Sequence, residues 1–311
     1  MIPHFSGKPM RQQHLIITVL SVAFAFGLTL SASGNETALL PSSGEEVAKE
    51  QPPLKLNIAI NDIYGTDTAC SCVHDVATRK YSDFFDRLRE KHSIEIVPAY
   101  YPEIYDLIKD FKAGKFDGAI CKPWFLLQPK SGSPQKLLRA ADLQDPFGNT
   151  LMWGILIVPK NSKFRTLGEL SGKRMTCGEN DNYEKSHAVR KLLKAKNISI
   201  QPKNISARAS CLECLDLLIK GVADVAAISN YALTADCGAD VAKPEDFRVL
   251  AETERIPLTS LLVDIQKVPR KDALRLQKAL LEVSKTSLPK SMGGGGFVLP
   301  QPWSPSELSE K

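Results

Sequence analysis

The sequence predicts an α/β protein with two doubly wound lobes, and two features of the pattern support this. Apolar strands alternate with amphipathic helices over residues 54–121, as in doubly wound parallel sheets. The motif G-x-x-D-x-A also occurs twice, at residues 114–119 and 221–226. Each copy ends a helical pattern and begins a buried strand, which indicates that one architecture is used twice.

The N-terminal segment predicts export. Lys8 and Arg11 precede an apolar run at residues 15–30, and small residues follow at 31–33. These are the three parts of a secretory signal peptide. An uncleaved membrane anchor stays open, because the run is nearly long enough to span a bilayer. We assign residues 1–33 to the signal peptide and the aperiodic residues 34–53 to a flexible linker.

The first lobe is expected to begin at residue 54. Strands are predicted at 56–60, 94–98 and 116–121. Two helices lie between them, and their apolar faces are formed by Tyr81, Phe84, Phe85 and Leu88, and by Ile104, Leu107, Ile108 and Phe111. In each G-x-x-D-x-A copy the Gly is expected to close the helix in a left-handed conformation and the Asp to tie the turn.

The second lobe is organised around residues 154–200. A strand at 155–158 is followed by a T-x-x-E capping box at Thr166 and Glu169, then by a strand at 173–177. Asp181 and Glu184 form a D-x-x-E version of the box before an amphipathic helix. This arrangement places a helix N-terminus at the end of a strand, where α/β sheets bind ligands.

The remaining pattern suggests that the chain returns to the first lobe. Strands are predicted at 247–251 and 258–263, and Leu276, Ala279, Leu280 and Val283 form a last helix face. We expect flexibility at Gly293–Gly296. The predicted first lobe therefore comprises residues 54–150 and 258–300, the second lobe residues 151–257, and a loosely held tail residues 301–311.

Composition and motifs exclude several functions. The chain has 311 residues, is 43% hydrophobic and carries a net charge of +5. That charge is too small to predict nucleic-acid binding, and no basic run with interleaved aromatic residues occurs. There is also no G-x-S-x-G, P-loop or metalloprotease motif. We therefore expect neither an enzyme nor a cofactor.

Seven cysteines are present. In an exported protein disulfides are the default. Cys70 and Cys72 are too close in sequence to bridge each other without strain, so one of them is expected to pair with Cys121.

In the second lobe, Cys211 or Cys214 is expected to pair with Cys237. The odd number leaves at least one cysteine over. A metal site would require the cysteines at 70 and 72 to meet those at 211 and 214, and no His lies at ligand spacing. No metal is therefore expected.

The order of these motifs resembles that of the periplasmic solute-binding proteins of phosphate/phosphite/phosphonate-type ABC importers. The resemblance covers residues 54–285 and rests most on S-x4-L-x2-L-x-G-K-R at 162–174. It implies a type 2 periplasmic binding protein fold, with two lobes joined by two crossing strands and closing over an anion. It also implies a periplasmic monomer whose partners are a small anion and an ABC permease.

The resemblance also indicates where a ligand would bind. The family's Ser/Thr-rich anion site matches Asp181, Asn182 and Tyr183, a ligand-binding His matches Cys211, and a Gly matches Lys122. Because Asp181 would repel a dianion, we expect a monoanion or a zwitterion.

Position in the pattern adds further candidates. Tyr64 and Tyr101 follow the first two strands, Ser186 and His187 lie in the helix, and Tyr231 follows the second repeat. The alternative for each is a structural or solvated side chain. The sequence thus predicts an exported protein that binds a small anion for an ABC importer; the alternative is a periplasmic receptor or redox-linked accessory protein of the same fold.

Overall fold

A computed structural model describes residues 52–69, 73, 77–128, 136–180, 182–233 and 243–303. The predicted signal peptide, nearly all of the linker and most of the tail lie outside these ranges. No helix in the described ranges is both long and apolar enough to cross a bilayer.

The first lobe contains a six-stranded sheet. In spatial order its strands are β13 (Phe297–Val298), β4 (Leu137–Leu143), β12 (Ser260–Asp264), β3 (Gly118–Cys121), β1 (Leu54–Ile60) and β2 (Ile94–Tyr100). Its helices are α1 (Ser82–His92), α2 (Ile104–Lys112), α3 (Trp124–Leu127) and α6 (Arg270–Thr286). Strands β1, β2 and β3 are parallel, whereas β12 is antiparallel to β3.

The second lobe contains a five-stranded sheet. In spatial order its strands are β10 (Phe247–Glu252), β6 (Gly154–Pro159), β9 (Val225–Ser229), β7 (Met175–Gly178) and β8 (Ile205–Arg208). Its helices are α4 (His187–Ala195) and α5 (Cys211–Ile219). Strands β7, β8 and β9 are parallel, and β6 is antiparallel to β9.

The two sheets therefore share one plan, in which three parallel strands are followed by one antiparallel strand. The antiparallel strand of each sheet, β12 or β6, is formed by chain that arrives from the other lobe. This confirms the predicted α/β fold with two wound lobes, although each sheet is mixed and not purely parallel.

The repeated motif performs the same task in both lobes. Gly114 and Gly221 have φ of +75° and +68° and end their helices in the left-handed region, as predicted. Asp117 accepts a hydrogen bond from the backbone N–H of Asn57 at 2.8 Å, and Asp224 accepts one from the N–H of Arg174 at 3.0 Å. Each Asp thus ties its strand to the neighbouring parallel strand, which is a longer-range role than the turn that we expected.

The chain crosses between the lobes at a short antiparallel pair. Strand β5 (Leu151–Met152) pairs with β11 (Ile256–Pro257) in a separate two-stranded sheet. The predicted strands at 155–158 and 258–263 lie mainly inside β6 and β12, next to this pair. The exact lobe boundaries stay a prediction.

The glycine-rich segment before β13 is held on both sides. The N–H of Gln144 donates to the carbonyl of Gly296 at 3.0 Å, and β13 pairs with β4 directly after it. The carbonyl of Met292 accepts a hydrogen bond from Nε of buried Arg79. These contacts attach the segment to the sheet and do not favour the flexibility expected at Gly293–Gly296.

Gly154 gives a test of how closely β6 packs. A Cβ atom at Gly154 would lie 2.1 Å from the carbonyl oxygen of Glu184. We expect Gly154→Ala to lower the free energy of unfolding by roughly 1–3 kcal/mol, because the backbone must move to remove the clash. Denaturant unfolding measures this. Gly168→Ala is the matched control, since no atom lies within 4 Å of its added Cβ. Equal stability of the two variants would contradict the close packing.

Candidate functional site

Side chains that follow four strands meet between the lobes. Tyr64 follows β1, and Lys122 and Trp124 follow β3 in the first lobe. In the second lobe the segment 182–187 follows β7, and Tyr231 follows β9. The carboxyl ends of parallel strands are where α/β proteins bind ligands. The meeting point of these segments is therefore the candidate site.

Aromatic rings from both lobes pack against each other here. The ring centres of Trp124 and Tyr183 are 4.2 Å apart, and those of Trp124 and His187 are 5.3 Å apart. Tyr64 and Tyr231 meet edge to face at 6.5 Å. Contacts of this kind add to the stabilisation from buried area. They form an apolar wall that joins the lobes beside the charged groups.

A charged cluster, defined as Lys122, Glu184, Lys185 and Ser229, is buried at the same place. The ammonium of Lys122 lies 3.8 Å from Oε1 of Glu184, and these side chains are 9% and 0% exposed. Lys122 also donates to Oδ1 of Asn182 at 3.4 Å. The hydroxyl of Ser229 donates to the same Oε1 at 2.5 Å. An ion pair therefore bridges the two lobes.

Lys185 brings a second buried ammonium to the charged cluster. Its Nζ lies 3.4 Å from the carbonyl oxygen of Ala209 and 3.5 Å from Sγ of Cys211. The side chain passes over Gly178, where an added Cβ would lie 2.4 Å from Cγ of Lys185. By formal charge, the four residues of the cluster contribute two cations and one anion.

The pKa of Glu184 reflects a competition between burial and the charged groups around its carboxyl. Burial raises the pKa of its carboxyl, but the nearby Lys122 and Lys185 and the Ser229 hydrogen bond lower it. The net result is a pKa below the ordinary 4.5. Glu184 is therefore ionised at neutral pH, which a buried carboxyl without such partners would not be.

A second buried ion pair fixes the loop that carries Tyr64. Nη1 of Arg79 donates to Oδ2 of Asp62 at 2.7 Å, and the hydroxyl of Tyr81 donates to the same oxygen at 2.8 Å. The other oxygen of Asp62 accepts from the N–H of Tyr64 at 3.2 Å. The Arg79 guanidinium also lies 6.0 Å from the centre of the Tyr64 ring. These contacts are satisfied within the loop, so we assign them a structural role.

The structure brings most of the predicted site residues together. Those that line the meeting point are Tyr64, Lys122, Asn182, Tyr183, His187, Cys211 and Tyr231. Ser186 is buried next to them, but its hydroxyl donates to the carbonyl of Asn182 at 2.6 Å and so supports the turn. Asp181 lies outside the described residues. Ligand contact stays a proposal for all of them.

Tyr101 is not brought to this place. Its hydroxyl donates to Asp110 of α2 at 2.8 Å, and its ring meets Phe116 at 5.8 Å. Partial desolvation and the hydrogen bond to Asp110 raise the pKa of Tyr101 to about 12. The side chain therefore turns towards α2, and we leave it out of the proposed site.

The predicted D-x-x-E capping box does not form around Glu184. Helix α4 begins at His187 with Ser186 at its N-cap, two residues after Glu184, and the Glu184 side chain reaches Ser229 instead. By contrast, the Thr166 box is present, because Glu169 accepts the backbone N–H of Thr166 at 2.7 Å. The sequence thus predicted Glu184 as a helix-capping residue, and Glu184 was missed as a site residue.

Trp124, Lys185 and Ser229 were missed as site residues. Trp124 follows the Lys122 candidate by two positions, and Ser229 ends the strand of the second repeat. Lys185 directly follows Glu184 in the sequence. An adjacent Glu-Lys pair before a helix was the available signal, but solvated charges give the same pattern.

The described cysteines are buried thiols. Cys121 and Cys177 are not in disulfides, so the predicted bond from Cys121 is absent from the structure. Burial raises the pKa of Cys121 to about 12 and that of Cys177 to about 11. Such thiols stay protonated and are poor nucleophiles, which does not favour the redox-linked alternative.

The disulfide expected in the second lobe does not form either. Cys70, Cys72 and Cys237 lie outside the described residues, but the structure forms no disulfide at Cys211 or Cys214, so the predicted bond from one of them to Cys237 is also absent from it. Sγ of Cys211 lies 3.7 Å from Oγ of Ser229, and Cys214 lies 3.4 Å from Oγ1 of Thr176. Both sulfur atoms thus contribute to the packing behind the charged cluster.

The fold and the buried site between its lobes define a type 2 periplasmic binding protein. Residues 73–302 match the family of the ABC transporter, phosphonate, periplasmic substrate-binding protein. The chain belongs to this family. A comparison with curated proteins finds no match.

Solved structures with this fold are distant in sequence. A Xanthomonas citri protein bound to ATP is 15% identical, with 80% of this chain and 92% of that chain covered and a TM-score of 0.60. The binding protein component of an ABC phosphonate transporter from Pseudomonas aeruginosa is 13% identical, with 79% and 82% covered and a TM-score of 0.55. PhnD1 from Prochlorococcus marinus in complex with methylphosphonate is 12% identical, with 80% and 94% covered and a TM-score of 0.54.

The lowered pKa of Glu184 predicts a pH dependence of stability. Glu184 has a higher pKa in the unfolded chain than in the folded one, so as the pH falls it is protonated first in the unfolded chain. The contribution of Glu184 to stability is therefore complete above about pH 4.5 and is lost as the pH falls through the folded-state pKa. Glu184→Gln should flatten the fall in unfolding free energy between about pH 6 and pH 3.

Urea unfolding at a series of pH values measures this slope. Glu90→Gln is the control, because Glu90 is exposed on α1 and its removal should leave the slope close to that of the wild type. Equal slopes for the wild type and Glu184→Gln would show that the carboxylate is not stabilised by its neighbours.

Proposed function

We propose that the chain captures a small anionic solute between its two lobes and delivers it to an ABC importer. The observation that carries this proposal is the buried ammonium of Lys122, which lies where the two lobes meet. Its contacts within the described residues are long, at 3.4 Å to Asn182 and 3.8 Å to Glu184. An anionic oxygen would give it a short, charge-assisted hydrogen bond.

The charges at the site favour a solute with one negative charge over a solute with two. A dianion would place additional negative charge beside Glu184, which is already ionised, and the repulsion is strong where water is excluded. The predicted preference for a monoanion or zwitterion therefore rests on Glu184, a described residue, as well as on Asp181.

Family membership supports the class of function and leaves the solute open. The Prochlorococcus marinus structure contains methylphosphonate, and the Xanthomonas citri structure contains ATP. The fold thus accommodates phosphorus-containing anions of different size in other proteins. Transport in partnership with a permease, a monomeric state and periplasmic location are part of our proposal, and so is the absence of nucleic-acid binding.

Replacing Lys122 tests the proposal. The solute is first identified by native mass spectrometry of the protein purified from its own compartment. Lys122→Ala should then weaken binding of that solute by roughly 2–5 kcal/mol in calorimetry, because the buried anion loses its counter-ion. Lys271→Ala on the exposed surface of α6 is the control and should bind as the wild type does. An unchanged affinity in Lys122→Ala would reject this site.

Lobe motion gives a separate test. The lobes are connected through β5 and β11, so solute binding should favour closure about this pair. Small-angle scattering should show a smaller radius of gyration for the wild type with saturating solute than without it. Lys122→Ala at the same solute concentration should compact less. An unchanged radius in the saturated wild type would count against a hinged clamp.

A further inference from the structure

We propose that a second pocket, at the end of the second lobe opposite the charged cluster, binds a carboxylate that carries an apolar chain, such as a medium-chain fatty acid. No residue of the charged cluster lines this pocket, so the inference does not depend on the proposed function. The pocket has a volume of about 530 Å³, within the range of about 300–1,000 Å³ that is usual for small-molecule sites.

The pocket lies at the end of the sheet where its parallel strands begin. Met175 and Ile205 are the first residues of β7 and β8, and both line the pocket. The charged cluster lies at the other end, since Glu184 follows β7 and Ser229 is the last residue of β9. Strand β7 has four residues, so at about 3.3 Å per residue about 10 Å of strand separates the two sites. The pocket is therefore distinct from the candidate site between the lobes.

The floor of the pocket is apolar and belongs to the core of the lobe. Met175, Leu193 and Ile198 are 1%, 5% and 9% exposed and are part of one buried cluster, and Ile205 packs against the same cluster. A hydrocarbon chain placed on this floor would lose its contact with water, which is the main favourable term for binding such a chain. The floor therefore favours a solute with an apolar chain over a bare inorganic ion.

Backbone hydrogen bonds fix the wall of the pocket that follows α4. Asn197 ends the helix in the left-handed region with φ of +55°, and the N–H of Ile198 donates to the carbonyl of Leu193 at 2.9 Å. The carbonyl of Ser199 then accepts the N–H of Gly172 at 2.9 Å. These bonds are made without a ligand, so the wall is already formed, which lowers the entropic cost of binding.

Two cations stand at the rim of the pocket. Arg190 and Lys194 are exposed, line the pocket and lie four positions apart on α4. None of the described residues that line it is an Asp or a Glu. Like charges at this spacing on a helix repel each other. A carboxylate at the rim would relieve that repulsion and would complement the charge of both side chains.

The helix dipole does not account for both cations. A cation in the last turn of a helix is favoured by the dipole, and Lys194 lies there. Arg190 is the fourth of the nine residues of α4, where the dipole offers no such stabilisation. A shared anionic partner explains the positions of both side chains.

Octanoate is the probe, and two compounds separate the contribution of its chain from that of its charge. Hexanoate has the same charge and two fewer methylene groups, and octan-1-ol has the same chain length without the charge. In calorimetry with the full chain, octanoate should bind about tenfold tighter than hexanoate, because two buried methylene groups are lost. Octanoate should bind about threefold tighter than octan-1-ol, the size of one partly exposed ion pair.

Methyl NMR of the wild-type protein locates the probe. With isoleucine methyl groups labelled, octanoate should shift the signals of Ile198 and Ile205, which line the pocket. The signal of Ile63 should stay unchanged, because Ile63 belongs to the buried cluster that contains Tyr64 at the candidate site. This measurement needs no variant to fold.

Lys194→Gln tests the cationic rim. It should weaken the binding of octanoate by about threefold and leave that of octan-1-ol unchanged, because only the carboxylate loses a counter-ion. Lys196→Gln is the matched control, since Lys196 is exposed two residues later and does not line the pocket. It should bind octanoate as the wild type does.

The outcomes distinguish this pocket from the site between the lobes. Shifts at Ile63 without shifts at Ile198 and Ile205 would place octanoate between the lobes and overturn the second site. Absence of octanoate binding would also overturn it, and so would equal affinity for octanoate and hexanoate or for octanoate and octan-1-ol. An unchanged affinity for octanoate in Lys194→Gln would reject the assigned rim. None of these results bears on the Lys122 test, which uses the co-purified solute.

Discussion

The ion pair between Lys122 and Glu184 is the interaction on which the arrangement of the candidate site depends. It joins a residue that follows β3 in the first lobe to one that precedes α4 in the second. Two buried charges at 3.8 Å do not guarantee net stabilisation, because removing both from water costs several kcal/mol per ion. Here the Ser229 hydroxyl and the second ammonium at Lys185 offset part of that cost. The pair therefore specifies how the two lobes meet more than it stabilises either one.

The duplicated framework explains how two distant segments reach this point. In each lobe an Asp after the helix-ending Gly binds the backbone of the neighbouring parallel strand, at Asn57 or at Arg174. This contact sets where β3 and β9 lie in their sheets. Lys122 lies just beyond the end of β3, and Ser229 is the last residue of β9. The same backbone contact thus positions the cation in one lobe and the hydroxyl donor in the other.

Local signals predicted the fold well, because they act over a few residues. The repeated Gly, the Thr166 box and the apolar faces of α1 and α2 are such signals, and all appear in the structure. Contacts between distant segments were not predictable in this way. The partners of Glu184 come from residues 122 and 229, so its sequence context suggested a helix cap. Tyr101 lies after β2, as predicted. Its side chain points towards Asp110 of α2, and this orientation depends on packing that the local sequence does not specify.

The separation between framework and site explains how a family fold can accommodate a different solute. The bonds that hold each sheet together are made by backbone groups and by Asp117 and Asp224, none of which lies in the charged cluster. Substitutions at Lys122, Glu184 or Lys185 change the charge between the lobes and leave those bonds intact. The constraint on such substitutions is electrostatic, since each buried charge requires a partner in the protein or in the solute. Glu184 has partners for one oxygen among the described residues and none for the other.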